Sequence, residues 1–533
     1  MSRRPPLLAE RRWKALMLLV ALALGQAAAM VAAAFATRAV FISLRDGSGV
    51  APGAALVMIA LAGVLLCLLR ALEGRVGEAA GQSYAAAIRR RLFVHVSNMP
   101  VRAIARRRPG ALALRYVGDL AAFKGWIARG VSRLICATIT IPAALLILCL
   151  LDPWLMLAAL GPIAAVMIAI FLLSRPLGAA HADLRRKRAR LAADMSERLP
   201  QGIQLRRSGR MRIELRALAR RSHAVADAGV RREGLSALVR ALPDAGAGLA
   251  GAMCLLVCAR LNLGLPDAVA ALTALGMAVR PLRHLADVAD RRRAYGVASR
   301  KLDAFLASTR LPRVARARGD TDAPALRLRR VRIPGLAPFD LRLNAGDLRR
   351  LSGPAGCGKS TLLLALAGCE TVPKAARFEV CGGAPGSAHP GRILYLGRLS
   401  PVLKGSLRRE VTLGIGRRPS DEEIGRTLAH VGLHGVLERL GGLSGAVSEG
   451  RRNLTTTEQA RLLLARALLA RPALALIDAD EIHLTRSDLS CLLDHLDCTG
   501  AAALIVTRDR EAIARLGAPV ALQGRTAAPV QDV

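Results

Sequence analysis

The sequence predicts a multidomain membrane protein, with an all-α domain of six membrane helices followed by an α/β domain on a mostly parallel sheet. Three observations carry this. Four uncharged apolar runs have bilayer length. Basic residues alternate between dense and sparse segments. After residue 325, short β-type runs alternate with helical stretches.

The apolar runs are Ala15–Thr37, Gly47–Leu69, Leu134–Leu151 and Pro153–Ser174, of 23, 23, 18 and 22 residues. About 20 residues cross a bilayer as a helix. Asp152-Pro153 alone separates the third run from the fourth, so a tight hairpin is expected there. Two further spans are read at Gly234–Ala259, which holds Arg240, Pro243 and Asp244, and at Leu261–Val279, which holds Asp267. Arg240 and Asp244 stand four apart, at a spacing that permits pairing on one helical face. An even number of crossings is required if the Arg-rich amino end and the carboxyl domain share the cytosolic side.

The basic residues test that count. The segments 70–133 and 175–240 hold 13 and 17 Lys/Arg, whereas the short loops between the other spans hold two (Arg38, Arg45), none, and one (Arg260). This is the positive-inside pattern for six spans with both ends in the cytosol, placed in the cell (inner) membrane. Both basic segments are too long for turns, so helices are expected to continue through Gly77–Val96 and Ala179–Leu199. Their inner tips would lie within Arg89–Gly110 and Glu197–Arg216. The domains are accordingly 1–311, a Pro-bounded linker 312–324, and 325–533.

Composition limits the partners. The formal charge is +39, yet aromatics are 3 % and Arg supplies 71 of the 78 basic side chains along the whole chain. No nucleic acid is expected, because stacking surfaces are scarce. Basic loops facing membrane lipid account better for the charge. The ten cysteines include no CxxC, so reduced thiols are expected. No cleaved signal peptide is read at the amino end.

Gly353-Pro-Ala-Gly-Cys-Gly-Lys-Ser-Thr361 fits G-x-x-x-x-G-K-[ST] and opens a helix read at Leu362–Ala367. Such a loop cradles ATP. Gly353, Gly356 and Gly358 admit the phosphates to the backbone of a loop that also holds Cys357 and Thr361. N–H groups at the helix start face the phosphates, Lys359 bridges β and γ, and Ser360 holds Mg2+. Asp478, ending the buried run Leu474–Asp478, is the matching metal carboxylate. The second domain is thus an α/β P-loop NTPase domain.

Six spans, then a P-loop domain whose blocks Gly445–Leu454, Arg461–Leu468 and Pro472–Asp478 follow in that order, resemble the half-size ABC exporters over nearly the whole chain. The resemblance implies two nucleotide domains closing face to face, with ATP between the loop of one and the signature of the other. It also exposes departures. The signature, Leu-Ser-Gly-Gly-Gln in the family, reads Leu454-Thr455-Thr456-Thr457-Glu458. Thr456 and Thr457 add bulk where glycines admit the phosphate, and Glu458 adds an unfavourable charge. Ala479 stands where a water-polarising Glu belongs. Asp480 and Glu481 follow as candidate substitute bases, although on an extended exit from the strand a one-residue shift reverses side-chain direction. Arg398 and Arg508 occupy the Q-loop and switch-histidine positions, and Thr485 that of a loop-closing Asp. No aromatic for adenine stands in the strand Ala325–Ile333, with Phe339 nearby.

The expectation is a degenerate nucleotide domain that binds ATP and Mg2+ with no confident catalytic residue, in a half-transporter exporting an unknown substrate. A second ABC half-transporter would form a heterodimer with it. Two alternatives stand beside this: a self-sufficient homodimeric ATPase transporter, and a non-transporting ATP-binding membrane regulator.

Overall fold

The computed structural model describes residues 4–7, 9–45, 53–105, 120–311, 324–331, 339–371, 377–384, 391–397, 400, 403–448 and 452–522. Two compact units emerge: residues 1–97 with 108–308, and residues 98–107 with 309–533.

The first unit is helical. Its six long helices are α1 (Arg12–Arg45), α2 (Gly53–Ser97), α3 (Leu120–Leu151), α4 (Pro153–Arg198), α5 (Met211–Arg260) and α6 (Leu265–Leu306). All six are long and apolar enough to cross a membrane, as the sequence predicts. The chain is a multi-pass membrane protein. The helices run far beyond their apolar windows, and α4 and α5 have 46 and 50 residues. A short helical turn, Gly202–Arg207, occupies the tip between them.

Local chemistry sets the α3–α4 hairpin. The Asp152 side chain accepts a hydrogen bond from the Trp154 N–H at 2.8 Å and caps α4, with Pro153 in its first turn. The bundle core is built of small side chains, including Ala34, Ala137, Ala159, Ala250 and Ala274, all at most 1 % exposed. Leu146, Leu157, Phe171 and Leu172 face outward, as spans in lipid require. At Gly77 and Gly81 a Cβ would lie 2.5 Å from the Ala128 carbonyl oxygen and 2.8 Å from the Ala128 Cβ. Only glycine lets α2 approach α3 this closely. The contact falls on a π-helical turn, Trp126–Val131, inside α3.

Several polar groups among the spans are paired. Gln26 Nε2 and Ser132 Oγ both donate to Glu73, at 3.0 and 2.8 Å. Asp267 lies in the first turn of α6, where the helix dipole favours an acid, and accepts from Arg38 Nε at 2.6 Å. Arg240 and Asp244 do not pair with each other: Arg240 meets Glu233 and Asp244 meets Arg283 on α6. Distance explains the difference, since the long α5 brings a preceding turn and a neighbouring helix within reach of each charge.

Topology is testable. In a cysteine-free background, single cysteines at residues 48 and 263 are expected to react with a membrane-impermeant maleimide from outside the cytosol, and one at residue 208 is not. Labelling of position 208 from outside would overturn the six-span orientation. Residue 48 and most of the linker 312–324 lie outside the described residues.

The second unit is α/β. Its strands are β1 (Leu326–Val331), β2 (Phe339–Leu343), β3 (Leu348–Ser352), β4 (Arg377–Val380), β5 (Ile393–Leu396), β6 (Gly405–Ser406), β7 (Ala446–Val447), β8 (Leu474–Asp478), β9 (Ala502–Val506) and β10 (Gly517–Ala521). The order β10-β3-β9-β8-β5 forms one sheet in which every pairing is parallel. An antiparallel sheet, β2-β1-β4, and the β6-β7 pair complete the described strands. Every residue of β8 and β9 is buried, the mark of strands covered on both faces. The five-residue helix Val101–Ala105 belongs to this unit: the Val101 N–H donates to the Cys369 carbonyl at 3.0 Å and the Arg102 N–H to Glu370 at 3.2 Å.

Candidate nucleotide site

The site starts where β3 ends. Gly353, Gly356 and Gly358 have φ of 152, 78 and 104°, in the region that disfavours side chains. These angles fold the loop round the start of helix α7 (Lys359–Leu366). The helix therefore begins three residues earlier than read from the apolar run, because Lys359 and Ser360 form its first turn. Lys359 Nζ donates to the Gly353 and Pro354 carbonyls at 2.8 and 2.9 Å. The ammonium thus lies across the loop that phosphates would fill.

Asp478 closes β8 at 2 % exposure. Ser360 Oγ donates to its Oδ2 at 2.6 Å. Burial, ahead of every other influence, pushes the Asp478 carboxyl above its ordinary range. Glu481 and Asp480 reinforce that rise, while Ser360 and Lys359 oppose it. A hydroxyl and a carboxylate are hard oxygen donors of the kind Mg2+ takes. Among the described residues no three His, Cys, Asp or Glu side chains form a metal cluster. A cation here would be shared with nucleotide phosphates.

Beyond Asp478 the chain does not exit extended. Ala479–Ile482 forms a helical turn, α8. This corrects the alternation expected for Asp480 and Glu481. Asp480 turns to Arg508, accepting from its backbone N–H at 3.2 Å and pairing with its guanidinium at 3.2 Å. Glu481 turns back to the loop, with Oε1 3.5 Å from Ser360 Oγ. Ala479 is buried at the start of the turn.

The Thr-rich segment is a helix start. Thr455 caps α9 (Thr456–Leu469), its hydroxyl accepting from the Glu458 N–H at 3.2 Å. Glu458 reaches back to the Thr455 N–H at 2.8 Å, completing a capping box. Arg439 donates to both Glu458 oxygens at 3.0 Å. That bond, before any other influence, holds the Glu458 carboxyl below its ordinary range. The unfavourable charge expected at Glu458 is therefore compensated. The Thr-x-x-Glu spacing is itself a capping-box signal, and sequence reasoning missed it. Among the described residues, no hydrogen bond or ion pair joins Thr455–Glu458 to the 353–361 loop. Thr455→Ala is expected to raise amide hydrogen exchange at the start of α9 about fivefold, matching a cap loss of about 1 kcal/mol. Unchanged exchange in the full chain would sink the assignment.

Thr485 likewise caps α10 (Arg486–Thr499), through a second capping box with Asp488. Phe339, considered for adenine, is half-buried and packs against the core of this unit. Arg466 was not singled out by sequence. It is buried and donates to the Glu410 carbonyl at 2.7 Å, tying α9 to the short helix Leu407–Val411. Arg398 lies outside the described residues.

Comparison with known proteins follows the same division. A family model described as "ABC transporter transmembrane region" matches residues 15–204, and one described as "ABC transporter" matches residues 336–479. Among similar proteins is the aliphatic sulfonates import ATP-binding protein SsuB of Burkholderia pseudomallei (strain K96243), 35 % identical over 234 residues. The match spans 43 % of this chain and 61 % of that protein. SsuB 1 of Paraburkholderia xenovorans (strain LB400) is 34 % identical over 199 residues, 36 % of this chain and 54 % of the relative. The chain thus covers less than two thirds of these relatives' length. The fold is similar to the structure of a bacterial Atm1-family ABC exporter with ATP bound, with TM-score 0.80 and 18 % identity over 97 % of this chain and 94 % of that one.

Proposed function

This chain belongs to the ABC transporters, its transmembrane region and ATP-binding domain fused in one polypeptide, and from that membership we propose that it is the nucleotide-holding half of an ABC exporter. The proposed site takes Mg-ATP. Gly353, Gly356, Cys357, Gly358, Lys359, Ser360 and Thr361 surround the phosphates, and Ser360 with Asp478 holds Mg2+. When bound, the cation neutralises phosphate charge. The chain's own contribution is to orient the nucleotide through loop N–H groups and the Lys359 ammonium.

One observation carries the reading: an intact loop and Asp478 stand beside a position 479 that has no carboxylate. Arg508, standing where the resemblance implies a histidine, is drawn into a pair with Asp480. Thr456 and Thr457 fill the first helical turn where the resemblance implies glycines. The domain is built to hold ATP and is poor at activating water. We therefore assign it a second ABC half-transporter with an intact water-polarising residue. The basic segments 70–133 and 175–240 support a reading with both ends and the nucleotide domain in the cytosol, in the cell (inner) membrane.

The test is purification of the tagged chain from its native membrane, followed by identification of what accompanies it. A second ABC half-transporter near one-to-one is the expected result. A chain recovered only with itself, and active in ATP-dependent transport, would overturn the heterodimer.

A further inference from the structure

We propose that Glu481 is a second carboxylate in the coordination sphere of the nucleotide-bound cation, a role that rests on the loop assignment above. Three observations converge on it. The helical turn after β8 returns residue 481 to the loop instead of carrying it away. Its Oε1 stands 3.5 Å from Ser360 Oγ, and Asp478 Oδ2 lies 2.6 Å from the same hydroxyl. Neighbouring ligands of octahedral Mg2+, each about 2.1 Å from the ion, lie about 3 Å apart. The two measured spacings bracket that value. Finally, the neighbouring carboxylate is already committed: Asp480 is held by the Arg508 N–H and guanidinium. No described basic side chain forms an ion pair with Glu481.

The location separates a metal role from a base. A water-polarising group must stand where water attacks the γ-phosphate. Glu481 instead flanks the hydroxyl on the cation side. Two carboxylates facing the phosphates repel ATP without metal and grip the ion with it. Glu481 thus makes nucleotide retention strongly dependent on a divalent cation, and it leaves the missing carboxylate at Ala479 unreplaced. It acts as a direct ligand of the cation.

The experiment uses Mn2+ as probe. The full-length chain in lipid nanodiscs, saturated with ATP, is titrated with Mn2+ and followed by electron paramagnetic resonance. Glu481→Gln is expected to raise the Mn2+ Kd about tenfold, the effect of one lost charged ligand. ATP binding in excess chelator is expected to stay unchanged or tighten, because a repelling charge is gone. Asp480→Asn should leave the Mn2+ Kd within twofold. The proposal is overturned if Glu481→Gln keeps the Mn2+ Kd within twofold, or if it weakens metal-free ATP binding, which marks a structural role. Lys359→Ala separates the two levels. If it leaves ATP binding intact, the loop assignment itself fails. If it abolishes binding while Glu481→Gln leaves Mn2+ affinity unchanged, only the Glu481 role fails.

Discussion

Lys359→Ala is expected to weaken Mg-ATP binding to the full chain by one to two orders of magnitude. The Lys359 ammonium donates to the Gly353 and Pro354 carbonyls of its own loop. In the proposed complex it exchanges those neutral acceptors for phosphate oxygens. Hydrogen bonds to charged groups contribute about 1.5–3 kcal/mol each, or roughly 10- to 150-fold in Kd. Alanine removes the charge and leaves the glycine conformations intact. Arginine keeps the charge but is too long and planar for the same pocket, so Lys359→Arg should also bind poorly. Titration calorimetry in lipid checks both. Unchanged affinity of Lys359→Ala would end the phosphate-loop assignment.

The second large effect concerns turnover. The purified chain alone is expected to hydrolyse ATP far more slowly than a transporter with an intact site. In a homodimer arranged as the family resemblance implies, both sites carry Ala479, Arg508 and the run Thr455–Thr457. General-base catalysis contributes roughly 10² to 10⁴-fold, and the deficit should fall in that range. In a heterodimer the partner brings its own base to one site, which still faces this chain's Thr-rich signature. The other site joins this chain's loop to the partner's signature and holds ATP as a staple. The measurement is phosphate release by the homodimer in lipid. Ordinary transporter-like turnover that Lys359→Ala abolishes would refute both the impaired chemistry and the need for a partner.

Much of the fold was legible because its signals are contiguous. Four spans stand as uncharged runs, and the phosphate loop is one unbroken motif. The fifth and sixth spans were harder to read because Arg240, Asp244 and Asp267 interrupt them. Glu233 lies seven residues before Arg240 on the same helix, whereas Arg283 and Arg38, the partners of Asp244 and Asp267, lie on other helices, far outside a local window. The same distance hid the compensation of Glu458, whose partner Arg439 is 19 residues upstream. Glu481 was misjudged for another reason. A strand's period of two was carried past Asp478, where the backbone had already turned helical. The capping box was fully readable, but the comparison with a Gly-rich signature drew attention to what the segment lacks.

That capping box makes repair of the signature an engineering conflict. Thr456 and Thr457 are the first two residues of α9, and Thr455 and Glu458 bind each other's backbone across them. A designer who installs glycines there raises the freedom of the unfolded chain and loosens the first turn. The cost is up to about 1 kcal/mol for each glycine in a helix interior, with the loss of Glu458 in addition. Access for phosphate and rigidity of the helix start therefore trade against each other at the same four positions. A restored signature needs a compensating anchor elsewhere on α9, and Arg439, freed of its carboxylate, would need a new partner as well.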